Sequence, residues 1–375
     1  MMLDIRLGVA ALAALPLLVT GCATAYGSRT VRPTSTDYTS AIAQAWNEQM
    51  LGNLVRLRYR DTPQFLQVSS VLTQFEYRGG AGAVAAVGLG GSDAAIALGG
   101  VDGDIGAGRA NFEYSERPTI TWLPLQGREF AERLLSPIAP ATILLLAQSG
   151  WSVERLLLCC VAQVNALRNA ASAAGPTPDY EPEFAAFQRV AELMRKLQTA
   201  GAIDVSLREV DGKEQMILSV HPPNPETEAY FDEMRRRLGV REDATEFTLT
   251  TMRAERSPQE IMIIGRTLIG VLFFLSQAVE APPEHVEAGL VTVTRRADGT
   301  PFEWSELTGR LFRVQSSMTD PGARAFVKVR LRGHWFFLED RDLNSKTTFS
   351  LVRYLFSLQA TAGGAAPLLT VTTGR

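Results

Sequence analysis

IDVSLREVDGKEQMILSV, residues 203–220, alternates apolar and polar side chains on both sides of a two-residue turn signal. Ile203, Val205 and Leu207 fall on one face, and Met216, Leu218 and Val220 do the same after Asp211-Gly212. Asp-Gly between two such runs suits the positive φ angles of a tight antiparallel turn. The stretch predicts a β-hairpin with one apolar face. Helical spacing surrounds it. Phe187, Val190, Met194 and Leu197 recur at threes and fours before it, and TEAYFDEMRRRLG (227–239) reads as a short helix stopped by Gly239. Hairpins among helices, rather than single strands alternating with helices, predict an α+β fold.

Toward the C-terminus, Ser257-Pro258-Gln259-Glu260 spells a capping box with proline at the first helical position. It predicts one helix through IMIIGRTLIGVLFFLSQAV (261–279), ending before Pro282-Pro283. Arg266 inside that run would be costly in a bilayer, so a buried core helix is expected rather than a membrane crossing. Beyond it the order is strand, strand, helix, strand. Val327, Val329 and Leu331 alternate with Lys328, Arg330 and Arg332, and HWFFLED (334–340) should pair nearby. Asn344 or Ser345 caps a helix carrying Phe349, Val352, Leu355 and Phe356, and PLLTVTTGR (367–375) is a strand.

Toward the N-terminus, AASAAGPTPDYEPE (170–183) has linker composition and separates an N-terminal α+β domain, 37–169, from a C-terminal α+β part, 184–375. Val153, Leu157, Cys160, Val164 and Leu167 keep a helical rhythm, in the second of two helices expected after the strand RPTITWLPL (117–125). In that strand Ile120 and Trp122 share a side. Ile42, Trp46, Met50, Leu54 and Leu57 mark an earlier helix, and DTPQFLQVSSVLTQFEY (61–77) a strand after Pro63. Between the strands, residues 79–108 hold eleven glycines and no Lys or Arg, flanked by QFEY (74–77) and NFEY (111–114). Antiparallel pairing of the flanks would put a turn near Ser92-Asp93. A membrane hairpin is one reading of this segment. Ile96 and Leu98 then share a face with Asp102 and Asp104, which suits lipid contact poorly, so a small-residue excursion from a periplasmic domain is the expectation.

The first residues, MMLDIRLGVAALAALPLLVTGC, place Arg6 before an apolar run from Leu7 to Val19, too short to cross a bilayer. Val19-Thr20-Gly21-Cys22 resembles the lipobox of bacterial lipoproteins: an aliphatic residue, two small ones, then the cysteine whose thiol accepts diacylglycerol. The resemblance implies a signal peptide over 1–21, a lipidated Cys22 at the head of a polar tether (22–36), and periplasm-facing attachment. Ala23, where an aspartate would retain such a protein at the inner membrane of Gram-negative bacteria, implies the outer membrane. Three acyl chains at ~0.8 kcal/mol per buried methylene anchor durably. The stretch RGHWFFLEDRDLNSKTTFSLVRYLFSLQ (332–359) is similar to uncharacterised bacterial envelope proteins and implies no activity.

A net charge of −3 and 21% charged residues give no basic footprint for nucleic acid. With Cys22 acylated, Cys159 and Cys160 remain. Adjacent on a helix, their side chains diverge by ~100°, so two buried thiols are expected rather than a disulfide. No cofactor or metal is expected. Asp93 stands where a G-x-G-x-x-G beginning at Gly88 needs glycine, and no phosphate-cradling G-x-x-x-x-G-K-[ST] occurs. His221, His285 and His334 lack ligand partners at metal spacing. Glu339, Asp340 and Asp342 could serve acid–base chemistry, but precede a helix and read as capping and dipole compensation. The basic face Lys328, Arg330, Arg332 reads as a solvated strand face. These features favour a non-enzymatic envelope assembly, accessory or scaffold component with membrane lipid and envelope proteins as partners. A subunit of an oligomeric export channel, inserting 79–108 as a hairpin, and an envelope hydrolase are the alternatives.

Overall fold

The computed structural model describes residues 26–83, 108–175, 180–210, 213–251, 257–360 and 368–373. The lipobox, Cys22 and Ala23, the expected Ser92-Asp93 turn and the Asp211-Gly212 turn lie outside them. The fold is α+β, and the chain forms two compact units: a body of Met1–Phe65 with Gln126–Ala362, and a second unit of Leu66–Leu125 with Gly363–Arg375.

In the body, a six-stranded sheet takes the order β4-β3-β8-β7-β6-β5. Its strands are β3 (Val161–Val164), β4 (Leu167–Arg168), β5 (Ile203–Val210), β6 (Lys213–Val220), β7 (Glu246–Thr250) and β8 (Glu260–Gly265). The expected hairpin forms in the predicted register, Ile203 opposite Val220 and Leu207 opposite Met216. Met216 in turn faces Leu249, and Leu249 faces Ile261. Since opposite residues share a face, Ile203, Val205, Leu207, Met216, Leu218, Phe247, Leu249, Ile261 and Ile263 make one apolar surface. The other surface carries Asp204, Arg208, Gln215 and Glu246, with Arg208 paired to Glu246 at 3.0 Å. Ile217, Ser219 and Met262 on this second surface are buried nonetheless. The apolar surface is covered by α3 (Pro140–Gln148), α4 (Val153–Cys160), α5 (Ala185–Thr199) and α6 (Pro225–Leu238). Phe231 of α6 meets Phe247 edge to face at 6.2 Å. Gly239 ends α6 in the left-handed region, φ 63°, as expected.

The rest of the body is built on α1 (Tyr26–Arg58), which packs on α7 (Leu268–Ser276) and on β10 (Ala325–Leu331) of a smaller sheet, order β10-β11-β9, with β11 His334–Glu339 and β9 Gln315–Ser317. Met50, Leu54 and Leu57 are buried as their spacing required. α2 (Arg128–Leu135), α8 (Pro283–Glu287) and α9 (Ser305–Thr308) are short. α10 (Leu343–Ala360) buries Phe349, Val352, Leu355 and Phe356. Phe356 stacks on Phe65 at 5.2 Å and takes the Trp46 edge at 5.7 Å.

Several expectations are corrected. The capping-box signal at Ser257 does not start a helix: residues 260–265 are β8, and the helix begins at Leu268, capped by the Thr267 hydroxyl. Half of the box forms, Ser257 N–H to Glu260 Oε2 at 3.3 Å, while Ser257 Oγ accepts Gln259 N–H at 3.3 Å and Glu260 N–H turns to the Ser257 carbonyl at 2.9 Å. These bonds close a turn into a strand, because Ile261, Met262, Ile263 and Ile264 fill the gap between β7 and β3. The rhythm through Leu167 breaks at Cys160, where helix gives way to β3. Pro137 and Pro140 divide the preceding helix in two. α1 begins at Tyr26, inside the expected tether, and accommodates Pro33 at the loss of one backbone donor. Strands from both sides of 170–183 lie in one sheet, so the body is continuous across the expected linker, where Ala171–Ala174 form a 3-10 turn. On β10 only Val327 is buried, Val329 and Leu331 being half-buried. No helix among the described residues is long and apolar enough to cross a membrane.

The second unit is a three-stranded sheet, order β12-β1-β2, with β1 Leu66–Ala83, β2 Gly108–Pro124 and β12 Leu368–Thr373. β1 and β2 pair antiparallel from Leu66–Pro124 to Ala83–Gly108, with an irregularity between Val68 and Ser70. The two echoing tetrapeptides do not pair as expected: they meet only at Tyr77–Tyr114, with residues 74–77 opposite 114–117 and residues 111–114 opposite 77–80. β12 joins β1 in parallel, Ser70 with Leu368 through Phe75 with Thr373.

Candidate functional site

Two places in the body gather side chains into something beyond ordinary packing. The first is an apolar cavity of about 90 Å³ between α3, α4, α5, α6 and the apolar face of the six-stranded sheet. Ile143, Leu144 and Ala147 line it from α3, Met194 from α5, and Val205 and Met216 from the hairpin. Every lining side chain is apolar. The hairpin alternation placed Val205 and Met216 on this face, and the run PATILLLAQ made α3 apolar nearly all round.

A helix of that composition is normally buried on every side. α3 is not: Leu146 is its one buried residue, Ile143, Leu144 and Ala147 are half-exposed, and Leu145 is 56% exposed. Leu207, at the hairpin end of the apolar face, is 61% exposed. The Gln148 Nε2 donates to the Val205 carbonyl at 3.1 Å and ties the C-terminal end of α3 to β5. The arrangement is an apolar cleft with one helix as its wall and Leu207 beyond its lining on the same sheet face. It can hold hydrocarbon and has no side-chain hydrogen-bonding group in its lining.

The second place is a buried polar cluster. The Tyr59 hydroxyl and His285 Nδ1 are 2.7 Å apart, and the His285 and His334 rings meet edge to face at 4.8 Å. His334 Nε2 lies 2.8 Å from Glu284 Oε1. Arg332 sits over the Tyr59 ring at 5.0 Å and pairs with both carboxylate oxygens of Asp61 at 3.0 Å. Burial pushes Tyr59 up to about 12, so its hydroxyl keeps its proton. Burial, with a smaller contribution from His334, lowers His285 below its ordinary value. The cluster joins the end of α1 to α8 and to the turn between β10 and β11. Forty-nine residues separate the two histidines, and no local pattern announces their meeting.

The remaining expected residues are dispersed. His221 is exposed, with its backbone N–H bonded to the Ala202 carbonyl at 2.8 Å. Cys159 and Cys160 are fully buried and free, and burial raises both thiols, Cys159 to about 11. The three carboxylates before α10 serve three separate partners. Glu339 accepts from Gln315 Nε2 at 2.9 Å, Asp340 from Lys346 at 2.6 Å, and Asp342 caps α10 by accepting Ser345 N–H at 3.0 Å. The cap is therefore Asp342, not Asn344 or Ser345. On the basic strand, Lys328 pairs with Asp320 and lies 5.1 Å over the Trp335 ring, with Arg330 at 6.0 Å from the same ring. Among the described residues no three His, Cys, Asp or Glu side chains are placed to hold a metal ion.

Compared with known proteins, the chain matches no family model, no curated protein and no solved structure.

Proposed function

We propose that the chain is an outer-membrane lipoprotein facing the periplasm, anchored through acylated Cys22, and that it serves envelope assembly as a non-enzymatic accessory or scaffold. Val19-Thr20-Gly21-Cys22 and Ala23 support the placement. The observation that carries the role is the division of the chain into an α+β body and a separate long-stranded unit. β1 and β2 have 18 and 17 residues, about 55–60 Å at ~3.3 Å per residue. Extended arms of that length offer backbone to another chain. Ile120, Trp122 and Leu123 near the end of β2 are exposed. Crosslinking with mass spectrometry in the native envelope tests the role. The reading expects crosslinks from 66–124 to other envelope proteins, and crosslinks confined to this chain would overturn it. Cys22→Ser should release the protein from membranes washed with carbonate, and retention of a processed chain would refute the anchor.

A subunit of an oligomeric channel is the second reading. It is favoured by one observation, that both arms exceed the ~9–11 residues a membrane strand requires. Detergent-extracted protein should then run as a ring-sized species, and a monomer or dimer would count against it. A hydrolase centred on Glu339, Asp340 and Asp342 draws no support from their separate engagements.

A further inference from the structure

We propose that the cleft between α3 and the six-stranded sheet is a binding site for a single unbranched acyl chain. It goes beyond the placement at a membrane, since the site belongs to the body itself.

Three observations select this ligand. The first is the lining. With only apolar side chains facing the cavity, a peptide entering it would bury backbone N–H and C=O groups without partners, at ~1–3 kcal/mol each. A hydrocarbon chain gains ~0.8 kcal/mol per methylene and leaves nothing unpaired. The second is size. About 90 Å³ is smaller than the roughly 150 Å³ apolar cavity that accepts benzene, so the space takes a few methylenes more readily than a ring. The third is the wall. α3 presents half-exposed Ile143, Leu144 and Ala147 to the cleft and is tied to β5 at its C-terminal end by Gln148. Displacement of α3 from Val205 and Met216 lengthens the space without opening a strand pair. Leu207, exposed on β5 at the end of the same apolar sheet face, extends apolar surface for methylenes outside the cavity. The chain could come from a membrane lipid or from the protein's own acylated Cys22. Both present the same chemistry.

The test is photolabelling of the full-length protein in its membranes with a palmitate analogue carrying a diazirine near its methyl end, followed by peptide mapping. The expected result is saturable labelling on 140–148 and 203–218, competed by unlabelled palmitate. Ala147→Trp, which fills the cleft from α3, should lower that labelling at least ten-fold. Val205→Met fills it from the sheet and gives the same reading should the first variant fail to fold. A parallel arm uses Cys22→Ser. Labelling in the native chain identifies a leaflet lipid as the source, and labelling confined to Cys22→Ser identifies the protein's own acyl group as resident. Labelling scattered over the surface, absent from both arms, or unchanged in the folded variants overturns the site. Loss of the anchor would leave labelling in the Cys22→Ser arm, so failure of the placement and failure of the site are distinguishable.

Discussion

The Arg266 guanidinium donates to the Leu158 carbonyl across 2.7 Å, and through that bond a cation from the end of a strand closes the end of a helix. α4 stops at Cys160, leaving its last carbonyls without intrahelical donors. Arg266 Nη1 also reaches the Cys159 carbonyl at 3.2 Å, and Nη2 the Asn169 carbonyl. Asn169 Nδ2 takes the Leu158 and Val161 carbonyls at 2.9 and 2.7 Å. The planar face of the guanidinium lies 4.1 Å from the Phe274 ring centroid. Positive charge at a helix C-terminus is favourable in itself. A buried charge with partners is tolerated where one without them is not.

Arg266→Leu should therefore destabilise the body by ~3–5 kcal/mol, because three buried carbonyls lose a charged donor at once. Arg266→Lys should recover only part of this, since an ammonium cannot fork between the Nη1 and Nη2 acceptors. Urea unfolding followed by circular dichroism measures both. A loss below ~1 kcal/mol for Arg266→Leu would mean that the carbonyls have other donors.

Gly265, one residue earlier, lies against the chain at Ile138. A Cβ there would sit 2.1 Å from the Ile138 carbonyl oxygen, and the Ile138 N–H bonds the Arg266 carbonyl at 2.9 Å. The obstacle is backbone and cannot swing aside. Gly265→Ala is expected to cost ~1–3 kcal/mol, as overpacking does. Thermal melting should register it, whereas Gly201→Ala, whose Cβ meets nothing within 4 Å, should show only the cost of its positive φ.

His285 sets a dependence on pH. Its pKa is lowered chiefly by burial, so below the ordinary value of 6.5 the unfolded chain binds a proton that the folded chain does not. Stability attributable to this residue is complete above pH 6.5 and declines as the pH falls toward the depressed folded value. His285→Gln keeps an acceptor for the Tyr59 hydroxyl and removes the titration. The variant should lose less of its urea midpoint between pH 7.5 and pH 5.5 than the native chain. Equal losses would show that His285 contributes nothing to the slope.

Asp342→Ala removes the cap of α10 and should cost ~1 kcal/mol, with Asp342→Asn close to neutral because an amide oxygen also accepts the Ser345 N–H. Melting temperatures of the two variants separate capping from surface charge. Similar losses for both would assign the effect to charge.

How far these relations could be read in advance depended on their range along the chain. The hairpin at 203–220, the helix stop at Gly239 and the buried stripe of α10 are local patterns, and each appears as read. The segment from Ser257 to Val279 misled because its start signal is real but short. The few local bonds at Ser257 and Glu260 are compatible with a turn as well as a helix. The conformation of 260–265 was decided by β7 and β3, of which β3 is distant in sequence. Helical rhythm through Val164 and Leu167 failed similarly, since Val161 and Val164 suit the sheet face as well as a helix stripe. The cleft was half legible. The alternation located its floor, while the partial exposure of α3 is a tertiary property. The His285–His334 pair had no local trace.

The parallel pairing of β12 with β1 joins Leu368–Thr373 to Ser70–Phe75. Nearly three hundred residues intervene, and the ribosome delivers them in order. β1 must therefore wait for its second neighbour while those residues are made, holding a row of amide and carbonyl groups that any passing strand could claim. Loss of β12 would restore that vulnerability in a molecule otherwise folded. The cell has reason to keep chaperones close during maturation.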